Sequence, residues 1–345
     1  MTWGLLVGCA AQSPPRPPRI ERPETVKDLT AAQVGQIIDL HFTAPDKATD
    51  GQGLTKPLEI DLFRAAAPPG GKAAPAPSAP PLAVLKGSDL ARLTSAGKLE
   101  YRDSLNRAEF QRLVGGFLTY QLRGLTRGFR GRPIESAPSN TAILRLLNVP
   151  EAPSGLAVDV TASALQLHWS APSRTVTGQP VSAAGRYRIY RSDTGTPGSY
   201  TAVGESPDTS FSDASFDFGH LYVYRVRALI TEASQSAESA DSPAVEIVPR
   251  DVFPPAAPAG LSGVYTGKEV DLIWSPNTEA DLAGYNIYRN TAGEKPVKLN
   301  AELLRSPLYR DTTATAGHRY TYRVTAMDTN DNESVPSEEA VVDVP

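Results

Sequence analysis

The chain has 345 residues, including 31 prolines and 27 glycines, which is length for two or three domains and too much apolar content for global disorder. A net charge of −4 argues against a dedicated nucleic-acid binder, and the single cysteine, Cys9, excludes an intrachain disulfide framework or a multi-cysteine metal site. No run of about 18 apolar residues occurs, so no membrane-spanning helix is expected. The charge is uneven: residues 10–149 hold 19 Lys and Arg against 13 Asp and Glu, whereas 150–250 and 251–345 are both acidic.

In chain order, Leu6-Val7-Gly8-Cys9 comes first. An apolar residue, a branched one, glycine and cysteine resemble the lipobox of bacterial lipoproteins. The resemblance implies diacylglycerol on Cys9, and Ala10 after it implies outer-membrane sorting in a host with two membranes. The eight residues before Cys9 contain no Lys or Arg, so the true start of the leader is expected upstream. The proline-rich stretch at 12–19 is expected to extend as a polyproline tether.

The chain then repeats itself three times, about 100 residues apart. Ile38-Asp39-Leu40-His41-Phe42, Leu165-Gln166-Leu167-His168-Trp169 and Val270-Asp271-Leu272-Ile273-Trp274 form the first set of matches. Ile60-Asp61-Leu62-Phe63-Arg64, Tyr187-Arg188-Ile189-Tyr190-Arg191 and Tyr285-Asn286-Ile287-Tyr288-Arg289 form the second. An aromatic two residues before aspartate follows each time: Tyr101 and Asp103, Phe211 and Asp213, Tyr309 and Asp311. Next come alternating strands at Leu118–Gly124, Tyr222–Ala228 and Tyr320–Ala326, with apolar residues on one parity and polar ones on the other. The last landmark is a serine-bounded turn: Ser136 to Ser139, Ser236 to Ser239, Ser334 to Ser337.

Short alternating strands separated by Gly, Pro, Asn and Ser clusters predict an all-β fold of three tandem seven-stranded sandwiches. Trp169 and Trp274 lie on the second strand and are followed closely by proline. With Pro153-Ser154-Gly155-Leu156, Pro258-Ala259-Gly260-Leu261 and the Tyr320/Tyr322 strand, they resemble fibronectin type III domains, an immunoglobulin-like architecture. The resemblance covers residues 150–345, and 20–149 through weaker copies in which Phe42 replaces tryptophan and Leu118 the first tyrosine. It implies a leader and tether at 1–19 and domains at 20–149, 150–250 and 253–345. Short proline-rich linkers at 149–153 and 248–255 predict an elongated rod with neighbours end to end. An Ala/Pro-rich insert at 65–81 reads as a disordered loop, and a milder insert lies at 175–184. The resemblance makes Tyr222 and Tyr320 tyrosine corners, and Phe42, Trp169 and Trp274 core aromatics. Leu118 cannot make the corner bond, so the first copy must close its corner otherwise.

Candidate sites are few. His41, His168, His220 and His318 fall at no metal-ligand spacing and next to no nucleophile motif, so no catalytic residue, metal or cofactor is expected. The stretch 328–333 is rich in oxygen ligands but lacks the glycine and distal glutamate of an EF-hand loop, and reads as a turn. Tyr190, Arg188, Arg225 and Arg227 share the outward parity of two neighbouring strands, an arrangement repeated by Tyr288 and Arg323. They read as cross-strand and cation–π pairs on a solvated face, or as a flat face for glycan or protein. A basic run, Arg102, Arg107, Arg112, Arg123, Arg127, Arg130 and Arg132, is interrupted by Gly124, Gly128 and Gly131 and reads as strand and loop rather than helix. It is either a solvated face or a contact for anionic lipid headgroups, lipopolysaccharide or wall polymer.

The resulting expectation is a non-enzymatic cell-envelope lipoprotein, held to the membrane by lipid on Cys9. It would act as spacer, adhesion element or scaffold for an envelope protein. The alternative is an accessory glycan- or cell-wall-binding protein, because fibronectin type III modules accompany secreted polysaccharide-degrading enzymes.

Overall fold

A computed structural model describes residues 19–74, 80–95, 97–181 and 185–345. Cys9 and the expected tether lie outside the described residues. The first repeat forms β1 (Thr30–Val34), β2 (Ile37–Phe42), β3 (Glu59–Ala67), β4 (Ala83–Lys86), β5 (Thr94–Ser95), β6 (Lys98–Ser104), β7 (Phe117–Arg127), β8 (Pro133–Glu135) and β9 (Ala142–Arg145), with helices α1 (Ser88–Leu93) and α2 (Arg107–Leu113). The second forms β10 (Ser154–Val160), β11 (Leu165–Ser170), β12 (Arg186–Ser192), β13 (Thr201–Ser206), β14 (Ser210–Asp213), β15 (Tyr222–Glu232), β16 (Gln235–Glu238) and β17 (Val245–Ile247). The third forms β18 (Ser262–Tyr265), β19 (Val270–Ile273), β20 (Leu282–Thr291), β21 (Val297–Lys298), β22 (Leu308–Asp311), β23 (His318–Asp328) and β24 (Ala340–Val344). Among the described residues no helix is long and apolar enough to cross a membrane.

The third repeat shows why these segments become strands. In β23, Tyr320, Tyr322, Val324 and Ala326 are buried, and β24 alternates in the same way. They close on Val270 and Leu272 of β19, on Trp274 just after it, and on Tyr285 and Ile287 of β20. Each such side chain contributes roughly 1.5–3 kcal/mol relative to exposure. One sheet alone cannot bury both sets, so the strands divide into β18-β19-β22 and β21-β20-β23-β24. The strands of the second repeat likewise form two hydrogen-bonded sets, β10-β11-β14 and β13-β12-β15 with β16 and β17. In the first, β4-β3-β7 carries β8 and β9, and β1-β2-β6-β5 faces the same core around Phe42, Tyr120 and Phe110. The fold is therefore all-β and sandwich-like, with seven strands in the third repeat and more in the other two.

Chain contacts define two compact units. One comprises residues 1–157, 168–211 and 223–245, and the other 158–167, 212–222 and 246–345, so strands of the second repeat belong to both. In the first unit, Val34 of β1 pairs in parallel with Glu238 of β16, and one sheet runs β13-β12-β15-β16-β1-β2-β6-β5. Gln33 is buried beside this seam. Its amide donates to the carbonyls of Leu147 (2.8 Å) and Gly35 (3.1 Å) and accepts from the Leu147 N–H (2.9 Å). Leu147, Val149 and Ala237 form a small apolar cluster with Val176 and Ile230. The segment at 149–153 is thus built into a core at its first residue. The stretch at 175–184, expected as an insert, supplies Val176, whose N–H donates to Val149 O at 3.0 Å. In the second unit, the Gly219 N–H donates to Pro249 O at 2.8 Å and Phe218 packs on Phe253.

Three expectations need correction. Arg107 and Arg112 lie on helix α2, not on strand or loop. Asn106 caps that helix by accepting from the Glu109 N–H at 3.0 Å, and Phe110 and Leu113 bury its inner face. Residues 65–67 are not part of a loop. They continue β3, paired with Thr119, Leu118 and Phe117, and only 75–79 of that insert fall outside the described residues. The serine landmark of the second repeat is displaced by three. Ser136 and Ser139 accept from the N–H groups of Gly124 and Leu122, and Ser334 and Ser337 from those of Ala326 and Val324. The residues that do this in the second repeat are Ser239 and Ser242, accepting from Ala228 and Val226.

Candidate interaction surfaces

The core aromatics set the frame on which the surfaces sit. Phe42 is fully buried, and Trp169 and Trp274 meet Tyr187 and Tyr285 edge to face at 5.3 and 5.2 Å. Tyr222 Oη accepts from the Asp217 N–H at 2.9 Å and Tyr320 Oη from the Thr315 N–H at 3.2 Å. The first repeat replaces this corner with α2. Gly115 N–H reaches Leu146 O at 2.7 Å, and Leu146 N–H returns to Gly116 O at 2.9 Å.

On the second repeat, antiparallel pairing places Tyr190 opposite Arg225 and Arg188 opposite Arg227. The Arg227 guanidinium lies 4.5 Å from the Tyr190 ring centroid, and that of Arg225 lies 4.1 Å from Tyr200. Sequence reasoning missed the acids that organise this face. The Glu238 carboxylate, only 9% exposed, accepts from Arg188, from Arg227 at 2.9 Å and from Tyr190 Oη at 2.8 Å. Glu205 takes Arg188 at 2.7 Å, and Asp241 takes both Arg225 (3.2 Å) and Arg227 (2.5 Å). Burial, then the bond to Glu238, holds the Tyr190 phenol above its ordinary pKa. These arginines are spent on one another's acids, so the face is a closed ionic lattice rather than an open basic surface.

A signal for Glu238 exists in the sequence. Glu135-Ser136, Glu238-Ser239 and Glu333-Ser334 stand at matching places once the serines are aligned by their bonds. Glu333 accepts from Tyr288 Oη (2.8 Å), Thr325 Oγ1 (2.5 Å) and Asn286 (3.1 Å), which repeats the tyrosine-to-glutamate bond of the second repeat. Here the lattice is thinner. Tyr288, Pro296, Arg323 and Glu333 line an open groove of about 300 Å³.

In the first repeat, Arg123 pairs with Glu135 at 3.2 Å and Arg127 with Glu59 at 2.9 Å. Arg102 pairs with Glu100 (2.9 Å) and Asp39 (3.3 Å). Arg130 and Arg132 lie beyond these in the turn between β7 and β8.

A deeper feature recurs under the surfaces. Asp311 accepts from Arg289 (2.6 Å) and Tyr322 Oη (2.8 Å), and Asp103 accepts from Arg64 (2.8 Å) and Tyr120 Oη (2.7 Å). Each triad ties a β3- or β20-type strand to the opposite sheet. The second repeat has Arg191, Asp213 and Tyr224 at the corresponding positions, with Asp213 and Tyr224 buried.

Among the described residues, those that could hold a hard cation are Asp251, Asp281 and Asp328, whose carboxylate oxygens lie within 4.8 Å of one another. Asp328 comes from the stretch read as a turn, and that turn is observed. Asp328 accepts from the N–H groups of Asn330 and Asn332 at 2.8 Å each, and Asp331 takes a φ of 65°. Asp251 and Asp281 come from distant segments that no spacing rule connects. The four histidines do not share a strand: His41 lies on β2, His168 on β11 and His318 on β23, while His220 precedes β15.

No family model matches the chain. Exoglucanase B of Cellulomonas fimi is 32% identical over 196 residues, covering 54% of this chain and 16% of that protein. An amylopullulanase of Thermoanaerobacter thermohydrosulfuricus is 39% identical over 79 residues, covering 23% of this chain and 5% of that protein. The chain thus spans a minor part of each of these relatives. Among solved structures, a two-domain fibronectin type III segment of chicken tenascin covers 56% of this chain and all of its own, at 19% identity and a TM-score of 0.36.

Proposed function

We propose that the chain is a non-catalytic accessory module of extracellular polysaccharide breakdown, one that positions a partner rather than transforming a substrate. The observation that carries this reading is the 196-residue likeness to Exoglucanase B, a protein of which this chain spans only 16%. Support comes from the sandwiches themselves. The arginines of the Tyr190 face are engaged by neighbouring acids, and the seam around Gln33 and Val149 is packed rather than loose. Such a surface suits spacing and scaffolding better than chemistry. The lipid on Cys9 expected from the lipobox would place the module at the cell envelope. Affinity capture of the intact chain from its own membranes tests the reading. Recovery of a polysaccharide-degrading enzyme is expected, and repeated recovery of unrelated partners would refute it. Loss of labelled palmitate from Cys9→Ser tests the anchor separately.

A second reading, direct glycan binding, is favoured by the groove of Tyr288, Pro296, Arg323 and Glu333. A phenol ring whose hydroxyl is fixed by a carboxylate offers a stacking face with hydrogen-bonding groups beside it. A glycan array in which hits vanish with Tyr288→Ala would support it, and an array without hits would oppose it.

A further inference from the structure

The first repeat carries a surface that a positioning role leaves unused. The hairpin between β7 and β8 turns through Gly128, Phe129, Arg130 and Gly131, and Arg130 adopts a φ of 55°. Phe129 is 80% exposed, more than any other large apolar side chain among the described residues. Its ring is partly shaded by the Arg130 guanidinium, 5.2 Å from the centroid. Arg130 and Arg132 meet no acid among the described residues, whereas Arg123 and Arg127, further down the same hairpin, are both paired.

The chain enters the repeat at this pole. Thr126 Oγ1 donates to Glu21 O, and a Cβ at Gly124 would lie 3.1 Å from Pro23. Passing from Pro23 back to Glu21, the chain therefore runs along β7 from residue 124 to residue 126; before it, the Arg22 N–H closes on Ile20 O at 3.1 Å and Arg19 binds Asp50 and the carbonyls of Gln52 and Gly53. Ile20 is 69% exposed. Arg19 is neutralised by Asp50 at 2.8 Å. The hairpin tip thus presents one bare aromatic ring beside two arginines that meet no acid among the described residues.

This combination selects among ligands. An acidic polysaccharide would engage the arginines and leave the ring in water. An apolar pocket on a protein would take the ring without needing a cation on each side. At an anionic bilayer both are used: the ring reaches the boundary between headgroups and acyl chains, and the guanidiniums meet phosphates. We propose that the Phe129 hairpin is a peripheral contact for an anionic phospholipid surface. The proposal draws on the envelope reading only for the nearness of a bilayer.

The test uses the full chain carrying Cys9→Ser, so that no acyl group can account for binding. Sedimentation with phosphatidylcholine vesicles is compared with and without one-third phosphatidylglycerol. Binding to the anionic vesicles alone is expected, weakening in about 0.5 M salt. Arg130→Ala and Arg132→Ala should each lower the partition coefficient about fivefold, and Phe129→Ser about tenfold or more. In Phe129→Trp, the added emission should shift to the blue on anionic vesicles. Equal binding to neutral vesicles, indifference to Phe129→Ser, or an unshifted Phe129→Trp would each overturn the proposal. So would a soluble acidic polysaccharide that binds with the same arginine dependence while vesicles do not. Palmitate labelling of the unmodified chain is scored separately, so failure at the vesicles leaves the anchor reading standing.

Discussion

Replacing Asp311 with alanine should unfold the third repeat at markedly lower urea, and the comparison with Asp103→Ala makes the reason testable. The Asp311 carboxylate is inaccessible and accepts four hydrogen bonds. These come from Arg289 Nη1 (2.6 Å), Tyr322 Oη (2.8 Å), Thr313 N–H (2.9 Å) and Thr313 Oγ1 (2.7 Å). Removing it strands a guanidinium that is only 20% exposed and a buried phenol. Breaking such a pair costs about 3–5 kcal/mol. Asp103 also holds an arginine and a tyrosine, but Arg64 keeps a second acid, Glu109, at 2.5 Å. Asp103→Ala should therefore cost about 2–3 kcal/mol, nearer the price of unsatisfied hydrogen bonds alone. In a chain with Trp3 and Trp169 replaced by phenylalanine, Trp274 emission reports the third repeat, and protection of residues 19–145 from limited proteolysis reports the first. A loss below about 1 kcal/mol for Asp311→Ala, or equal losses at both sites, would refute the reasoning. The pH dependence has a defined sign. Burial would raise Asp311, but bonds from Thr313, Tyr322 and Arg289 outweigh it and hold the pKa below its ordinary value. A depressed carboxylate stabilises the fold above its unfolded pKa of about 3.9, and that contribution is lost as pH falls through the lower folded value. The wild-type third repeat should therefore lose stability in acid, and Asp311→Ala should show less of this loss.

Gln33→Leu should cost about 2–3 kcal/mol by leaving the N–H and carbonyl of Leu147 unpaired, read as a lower melting temperature and faster proteolysis near residues 149–153. Tyr320→Phe should cost about 1 kcal/mol through loss of the bond from Thr315, measured in urea by Trp274 emission. Gly116→Ala should prevent the first repeat from packing, because the new Cβ would lie 2.1 Å from Ala67 O, and recovery of folded, protease-resistant protein is the readout.

The repeated strands were readable because their chemistry is local. Alternation in β23 and the tryptophan of β11 follow from a few consecutive residues and one buried face. Helix α2 was readable too, through Asn106 followed three positions later by Glu109, but the surrounding arginines and glycines drew attention to strand and loop. Helix α1 gives less notice, since Gly87 precedes it without a side-chain cap. The tyrosine and arginine pairs of the second repeat follow from strand parity, whereas Glu205 and Asp241 become visible only when strand neighbours are known. Asp251, Asp281 and Asp328 converge from segments as many as 77 positions apart, beyond any spacing pattern. The Gln33 seam is similarly hidden, because its partner Leu147 is 114 residues away. The serine turn shows the opposite failure: two neighbouring Ser-x-x-Ser matches, 236–239 and 239–242, compete in the sequence, and only the backbone donors of β15 choose between them.

The pairing of β1 with β16 bears on how this array can change over time. Tandem units are commonly gained or lost one at a time when each buries its own core. Deleting the first repeat here would remove the strand beside Glu238 and uncover Ala237, Val176 and Ile230. Deleting the second would bare Leu147 and orphan the amide of Gln33. The first repeat and the outer sheet of the second are thus expected to be inherited together, and shuffling of modules should find its break points on the far side of that pair.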